Sequence, residues 1–285
     1  MKSEKTALVL QGGALRTIFT SGVLDAFIAQ KYFPFDILIG VSAGTMCLSY
    51  YIGNQYGTTF EIIKQLAEDK DFINLKNAFK KEGIVNLTHL RSFTTSKFPI
   101  DYKTAFELKE KAIVEFVATD VKTGKPVYLN PTLENWNDCL IASSALPIYS
   151  KGSHTLNGQK LMDGSWSDPI PVKRAIELGA TKITVIRTSP VSHRDSKSYI
   201  GALGSVWFKE HEALKKSLLE EHLHFNSVVD FMNKKHEGIE IIQIAPEQKL
   251  KTTSSSSSEK KVITDYRNGL DLGLRFVMKE TAQTK

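Results

Sequence analysis

Disulfide scaffolding, membrane-spanning segments and nucleotide fingerprints are all lacking from this sequence. Cys47 and Cys139 are the only cysteines in 285 residues. Two thiols, one of them in an apolar stretch, do not make the disulfide framework of a secreted domain, and both are read as reduced thiols of a cytoplasmic protein. No run approaches the roughly 20 apolar residues that a membrane-spanning helix needs. The N-terminus leads straight into a strand-like Ala7-Leu8-Val9-Leu10, without the apolar core or cleavage site of a secretory leader. There is no G-x-G-x-x-G, since Ala14 and Thr17 break that spacing, and no Gly-Lys-Ser/Thr, which makes a nucleotide-phosphate cradle a weak reading. No internal repeat and no linker divides the chain. No cofactor, metal or nucleic-acid partner is expected.

What is present suits an ordinary globular chain, 41% hydrophobic and 24% charged. A chain of this length buries about three quarters of the surface that its unfolded form exposes, so its core needs no staples. The formal charge of +6 fits either an anionic membrane surface, touched peripherally, or simple solubility.

The opening third reads strand, turn, helix, strand, turn, helix. Thr6 to Leu10 is the first strand, and a helix follows with Phe19, Val23, Leu24 and Phe27 at helical spacing. Phe35 to Ile39 is nearly all apolar, as a buried parallel strand should be. A second helix runs to about Ile52. Residues 55 to 110 look helical, with a break at Lys80-Lys81-Glu82-Gly83. Further strands are expected at Glu115–Val121, Val127–Leu129, Lys160–Gly164, Lys182–Ile186 and Ile239–Ile244, and helices at Trp136–Ser144, Pro171–Leu178, about 190–238 and about Thr264–Lys279. This alternation predicts one α/β domain over 1–285. Its form is a three-layer α/β/α sandwich with a mostly parallel central sheet and a mostly helical part from 190 to 285.

Gly40-Val41-Ser42-Ala43-Gly44 is a G-x-S-x-G between a buried-type strand and a helix. That is the context of a nucleophile elbow, in which a strained turn projects the serine Oγ and Gly40 and Gly44 remove two crowding Cβ atoms. The alternative is a plain strand–helix turn with an N-capping serine. Gln11-Gly12-Gly13-Ala14-Leu15-Arg16 follows the first strand, and its successive N–H groups suit an oxyanion hole for an acyl group on Ser42. Arg16 can brace that loop, meet a lipid phosphate, or form a surface ion pair.

A serine nucleophile needs a proton acceptor within reach. None of the seven histidines (His89, His154, His193, His211, His222, His224 and His236) follows a strand in a glycine-rich turn. His222 and His224 are two apart on an expected helix, which points their rings away from each other. Asp163 ends a strand at Leu161-Met162-Asp163-Gly164-Ser165, where a sheet of this kind places functional groups. Its other reading is a turn aspartate capping a backbone N–H. Partial burial would raise its basicity.

Three motifs in this order resemble the patatin-like phospholipase family, with its G-G-G-x-[RK]-G loop, G-x-S-x-G elbow and D-G-[GA] motif. Here they are Gly12-Gly13-Ala14-Leu15-Arg16-Thr17, Gly40 to Gly44 and Asp163-Gly164-Ser165. Val117 to Val121 with Thr123-Gly124, and Ala142 to Pro147, extend the likeness over about residues 5 to 190. The resemblance implies a Ser42–Asp163 dyad without histidine, an oxyanion hole at Gly12, Gly13 and Ala14, and supporting roles for Arg16, Gly40, Gly44 and Gly164. It implies hydrolysis of lipid carboxylic esters, of phospholipase, lysophospholipase or carboxylesterase type. The alternatives are a thioesterase or acyltransferase, and a non-catalytic lipid-binding regulator on the same fold. Ala14, Thr17 and Ser165 depart from the family pattern. Ala14 is tolerable at negative φ, whereas a φ above zero costs on the order of 1 kcal/mol. Thr17 is expected to tighten the loop against its helix, and Ser165 to hydrogen-bond Asp163.

Overall fold

The computed structural model describes residues 4–69, 72, 85–146, 153–197, 202, 205–206, 208 and 210–283. In chain order they form β1 (Thr6–Leu10), α1 (Ile18–Ala29), β2 (Ile37–Val41), α2 (Ala43–Ile52), α3 (Thr58–Glu68), α4 (Leu87–Lys97) and α5 (Tyr102–Lys109). Next come β3 (Ile113–Asp120), β4 (Pro126–Leu129), α6 (Trp136–Ser144), β5 (His154–Leu156), β6 (Gln159–Asp163) and α7 (Val172–Glu177). β7 (Lys182–Ile186), α8 (Glu212–Met232), β8 (Glu240–Ile244) and α9 (Glu259–Gln283) complete the order.

One mixed sheet of eight strands organises the molecule. β3, β2, β1, β7 and β8 run parallel in that order, while β4, β5 and β6 are joined by antiparallel ladders. Strand alternation sends Leu8, Leu10 and Leu38 to one face, where they pack with α1, α2, α3 and α9. Ala7, Val9, Ile37 and Ile39 point to the other face and pack with α7 and α8. Helices therefore cover both faces, which is why the central strands are apolar throughout. On the first face α9 lies backbone to backbone on α1, since a Cβ on Gly22 would fall 2.1 Å from the Tyr266 carbonyl oxygen.

Most expected elements are present with ends shifted by a residue or two. The region expected to be helical from 190 is not uniformly so. Residues 190–197 form turns and irregular chain, residues 202, 205 and 206 are helical, and α8 begins at Glu212. Residues 55–110 hold α3, α4 and α5, while the expected break at Lys80 to Gly83 lies outside the described residues. β5 had no counterpart in the expected elements. It pairs with β6 through a tight turn at Asn157-Gly158, both at positive φ (49° and 77°). No described helix is long and apolar enough to cross a membrane.

Candidate active site

β2 is buried along its whole length between β1 and β3 and ends at Val41. The next residue, Ser42, turns the chain sharply with φ 55° and ψ −133°. A non-glycine residue there carries on the order of 1–3 kcal/mol of strain that its surroundings must hold. They do so on several sides. The Ser42 N–H donates to Ser143 Oγ at 3.0 Å, and that hydroxyl donates to the Val117 carbonyl at 2.5 Å. The Ser42 carbonyl accepts from the Thr45 N–H and hydroxyl at 2.9 and 2.6 Å. Gly40 and Gly44 allow the turn to close, because a Cβ on either would sit 2.9 Å from backbone atoms of Thr45 or Leu10.

The pairing of β3 brings Asp163 to this turn. β2 pairs with β3 as far as Val41 opposite Val117, and β6 pairs with β3 from Asp163 opposite Ala118. β4 shares β3 residues with both strands, so β2 and β6 occupy the same edge of β3 and meet end to end. Ser42 and Asp163 stand at that junction. Gly164 makes it possible: a Cβ there would fall 2.3 Å from the Val117 oxygen.

Asp163 is 1% exposed. Burial pushes its carboxyl up to about 6, against the opposing pull of the neighbouring Ser42 hydroxyl and of Ser165. The Ser165 N–H reaches Asp163 Oδ1 at 2.9 Å, a bond from the backbone and not from the hydroxyl expected to make the contact. The Asp163 backbone is fixed too, its N–H donating to the Ala145 carbonyl and its carbonyl accepting from Thr119 Oγ1, both at 2.8 Å.

The glycine loop lies against the serine from the β1 side. A Cβ on Gly12 would fall 2.8 Å from Ser42 Cβ and 3.5 Å from its Oγ. Thr188 holds the loop from behind: its hydroxyl donates to the Gly12 carbonyl at 2.7 Å, and its N–H to Gln11 Oε1 at 3.1 Å. Among the described residues the N–H groups of Gly12, Gly13 and Ala14 have no backbone acceptor. Arg16 reaches back with Nε to the Gly13 carbonyl at 3.4 Å and makes no ion pair among the described residues. Burial holds its guanidinium below the usual value. Thr17 is fully buried and its hydroxyl ties the Ala14 carbonyl at 2.7 Å, the tightening expected of it.

Ala14 carries the cost foreseen for a positive φ, since it sits at φ 50°. Ala14→Gly should therefore stabilise the protein by about 0.5–1 kcal/mol, the left-handed penalty relieved less the added freedom of the unfolded chain. A denaturant midpoint measured with unchanged slope checks this, and a lower midpoint for the variant contradicts it.

No histidine lines the space around Ser42. His89, His154 and His193 are engaged with Asp69, Asp138 and Asp195, and His236 with the Phe231 carbonyl. His222 and His224 lie on α8, where His224 Nδ1 is 3.2 Å from the Trp166 carbonyl. The described residues contain no cluster of side chains able to hold a metal.

Ser42 opens onto a cavity of about 210 Å³ between α2, α4 and α6. Ala14, Ala43 and Ser42 form one end, and Met46 and Tyr50 continue along α2. Tyr51, also on α2, faces away, with its hydroxyl on the Tyr32 carbonyl at 2.6 Å. Ser143 was not legible by itself; only the short Ala-Ser-Ser-Ala-Leu-Pro stretch hinted at it.

Comparison with known proteins matches residues 8–176 to the family model described as patatin-like phospholipase, a span that contains the loop, Ser42 and Asp163. A second model, described as a domain of unknown function, matches residues 211–282, which cover α8, β8 and most of α9. The uncharacterized protein YjjU of Escherichia coli (strain K12) is 31% identical over 283 residues, covering 96% of this chain and 77% of that protein. Lysophospholipase NTE1 of Mycosarcoma maydis is 25% identical over 214 residues, which are 70% of this chain and 10% of that much longer protein. The crystal structure of VipD from Legionella pneumophila shares the fold at a TM-score of 0.53 and 14% identity, over 97% of this chain and 67% of that one.

Proposed function

This chain belongs to the patatin-like phospholipase family, hydrolases of ester bonds, and we propose that it cleaves lipid carboxylic esters with a Ser42–Asp163 dyad through an acyl-enzyme. One observation carries the reading. Ser42, on its strained turn, stands where β2 and β6 meet, next to the buried Asp163 carboxylate and at the mouth of an apolar cavity that no histidine lines.

In this mechanism Asp163 takes the Ser42 proton as Oγ attacks the ester carbonyl. A free carboxylate in water is a weak base for an alcohol, and burial of Asp163 narrows that gap. Negative charge then develops on the former carbonyl oxygen. The N–H groups of Gly12, Gly13 and Ala14, with that of Ala43 at the α2 N-terminus, donate to it. Collapse expels the alcohol, which leaves with the proton held by Asp163. Water then attacks the acyl-enzyme, losing its proton to Asp163; collapse breaks the acyl–Oγ bond, releases the carboxylic acid and returns that proton to Ser42 Oγ.

The base is active when ionised, and its carboxyl lies at about 6. The rate kcat/KM should therefore be fully present above that value and fall as pH drops through it. A profile on a soluble short-chain ester checks this. A profile without an inflection within about one unit of pH 6 contradicts the assignment of Asp163 as base.

A further inference from the structure

We propose that the cavity beside Ser42 is an acyl-chain ruler that houses about eight to ten carbons, with Tyr50 as its end wall; this rests on the ester-hydrolase reading above. Two measures that do not depend on each other give the length. A cavity of about 150 Å³ with aliphatic walls holds one six-carbon benzene, so 210 Å³ holds roughly eight carbons. The second measure is the helix. Ala43, Met46 and Tyr50 share one face of α2 and all line the cavity, so the space follows the helix away from the nucleophile. At 1.5 Å per residue, the eight residues from Ser42 to Tyr50 span about 12 Å. An extended backbone advances about 3.4 Å per three bonds, so about 12 Å accommodates roughly ten bonds of an extended alkyl chain.

The far end is fixed rather than open-ended. Tyr50 is 2% exposed, and its hydroxyl donates to the Phe98 carbonyl at 2.7 Å, which ties α2 to the end of α4. Tyr102 stands beside it in the lining, its hydroxyl accepting from Asn137 Nδ2 at 3.0 Å. Both phenols are thus spent on structural bonds and present rings to the cavity. A longer chain must displace them or turn aside between α4 and α6 past the exposed Arg91 and Thr95.

The test is the second-order rate of Ser42 labelling by a series of n-alkyl fluorophosphonates with 4 to 16 carbons. Each methylene that enters the cavity should raise the rate by up to about fourfold. The rise should stop between about eight and ten carbons. Tyr50→Ala should move the break outward by about two carbons or more, since truncating a buried ring leaves room behind it. Tyr50→Phe keeps the wall and should leave the break in place. Met46→Phe narrows the space midway and should move the break inward; it keeps the test decisive if the alanine variant does not fold. A rate that climbs steadily through 16 carbons, or a break that ignores both Tyr50→Ala and Met46→Phe, overturns the ruler alone. Absence of labelling at every length overturns the hydrolase reading itself, and the ruler with it.

Discussion

Asp163→Asn is expected to lower kcat for ester hydrolysis by about 10³–10⁴-fold, near the upper range of what a positioned general base contributes. The asparagine amide has nearly the same shape and can still accept the Ser165 N–H that now reaches Oδ1 at 2.9 Å. It cannot take the Ser42 proton. The same variant should not lose stability. The folded-state value, raised from 3.8 to about 6, means that ionising Asp163 penalises the folded protein. Its favourable contribution is complete below the unfolded value and is lost as pH rises through about 6. At pH 8 the wild-type enzyme thus carries a cost on the order of 3 kcal/mol that the neutral amide relieves, offset by whatever hydrogen bonding the amide loses. Thermal unfolding at that pH should place the variant at or above wild type. A destabilised variant would assign Asp163 to holding the turn, and an active one would remove it from the chemistry.

The two halves of this site were unequally legible in the sequence. Ser42 could be read locally: an apolar strand, two glycines and a helix are enough to define a strained turn, and Ser42 has that turn's φ of 55°. Asp163 could not, because its position depends on a long-range event. Nothing within residues 159–165 says that β6 continues the β2 edge of β3, or that Ala118 will face Asp163 one step beyond Val117 and Val41. That information is in sheet register; the sequence pointed to Asp163 through its strand-end position, the lack of a well-placed histidine and, more, the family resemblance. Ser143 escaped notice for the same reason, being 101 positions from the backbone N–H that it receives. β5 is different, since its signal was local. Asn157-Gly158 is the favoured pair for a two-residue hairpin turn and marks the hairpin by itself. The non-helical stretch at 190–197 was read into the helical region because its charged residues carry no sharp boundary, whereas β1, β7 and α6 were bounded by clear changes of pattern.

Gly12→Ala is the substitution outside the dyad with the largest expected effect, a fall in kcat of about 10²–10³-fold, comparable to losing one oxyanion donor. The added methyl would stand 2.8 Å from Ser42 Cβ and 2.9 Å from the Val41 oxygen, distances that real Cβ atoms do not keep. The loop cannot retreat freely, because Thr188 fastens the Gly12 carbonyl and Gln11 from the other side. Either the loop donors or the serine must leave their positions. KM should change much less than kcat, since the cavity walls on α2, α4 and α6 are untouched. Steady-state kinetics on one soluble ester separates the two parameters. An enzyme within about threefold of wild type in kcat would place the oxyanion donors elsewhere.

Fluorophosphonate labelling followed by intact mass and peptide mapping tests most directly whether Ser42 is a nucleophile activated by Asp163. The wild-type protein should gain one adduct, on Ser42; Ser42→Ala should gain none; Asp163→Asn should label at least about 10²-fold more slowly. An adduct on another residue, or an Asp163→Asn protein that labels at the wild-type rate while replacement of one histidine abolishes labelling, would contradict it.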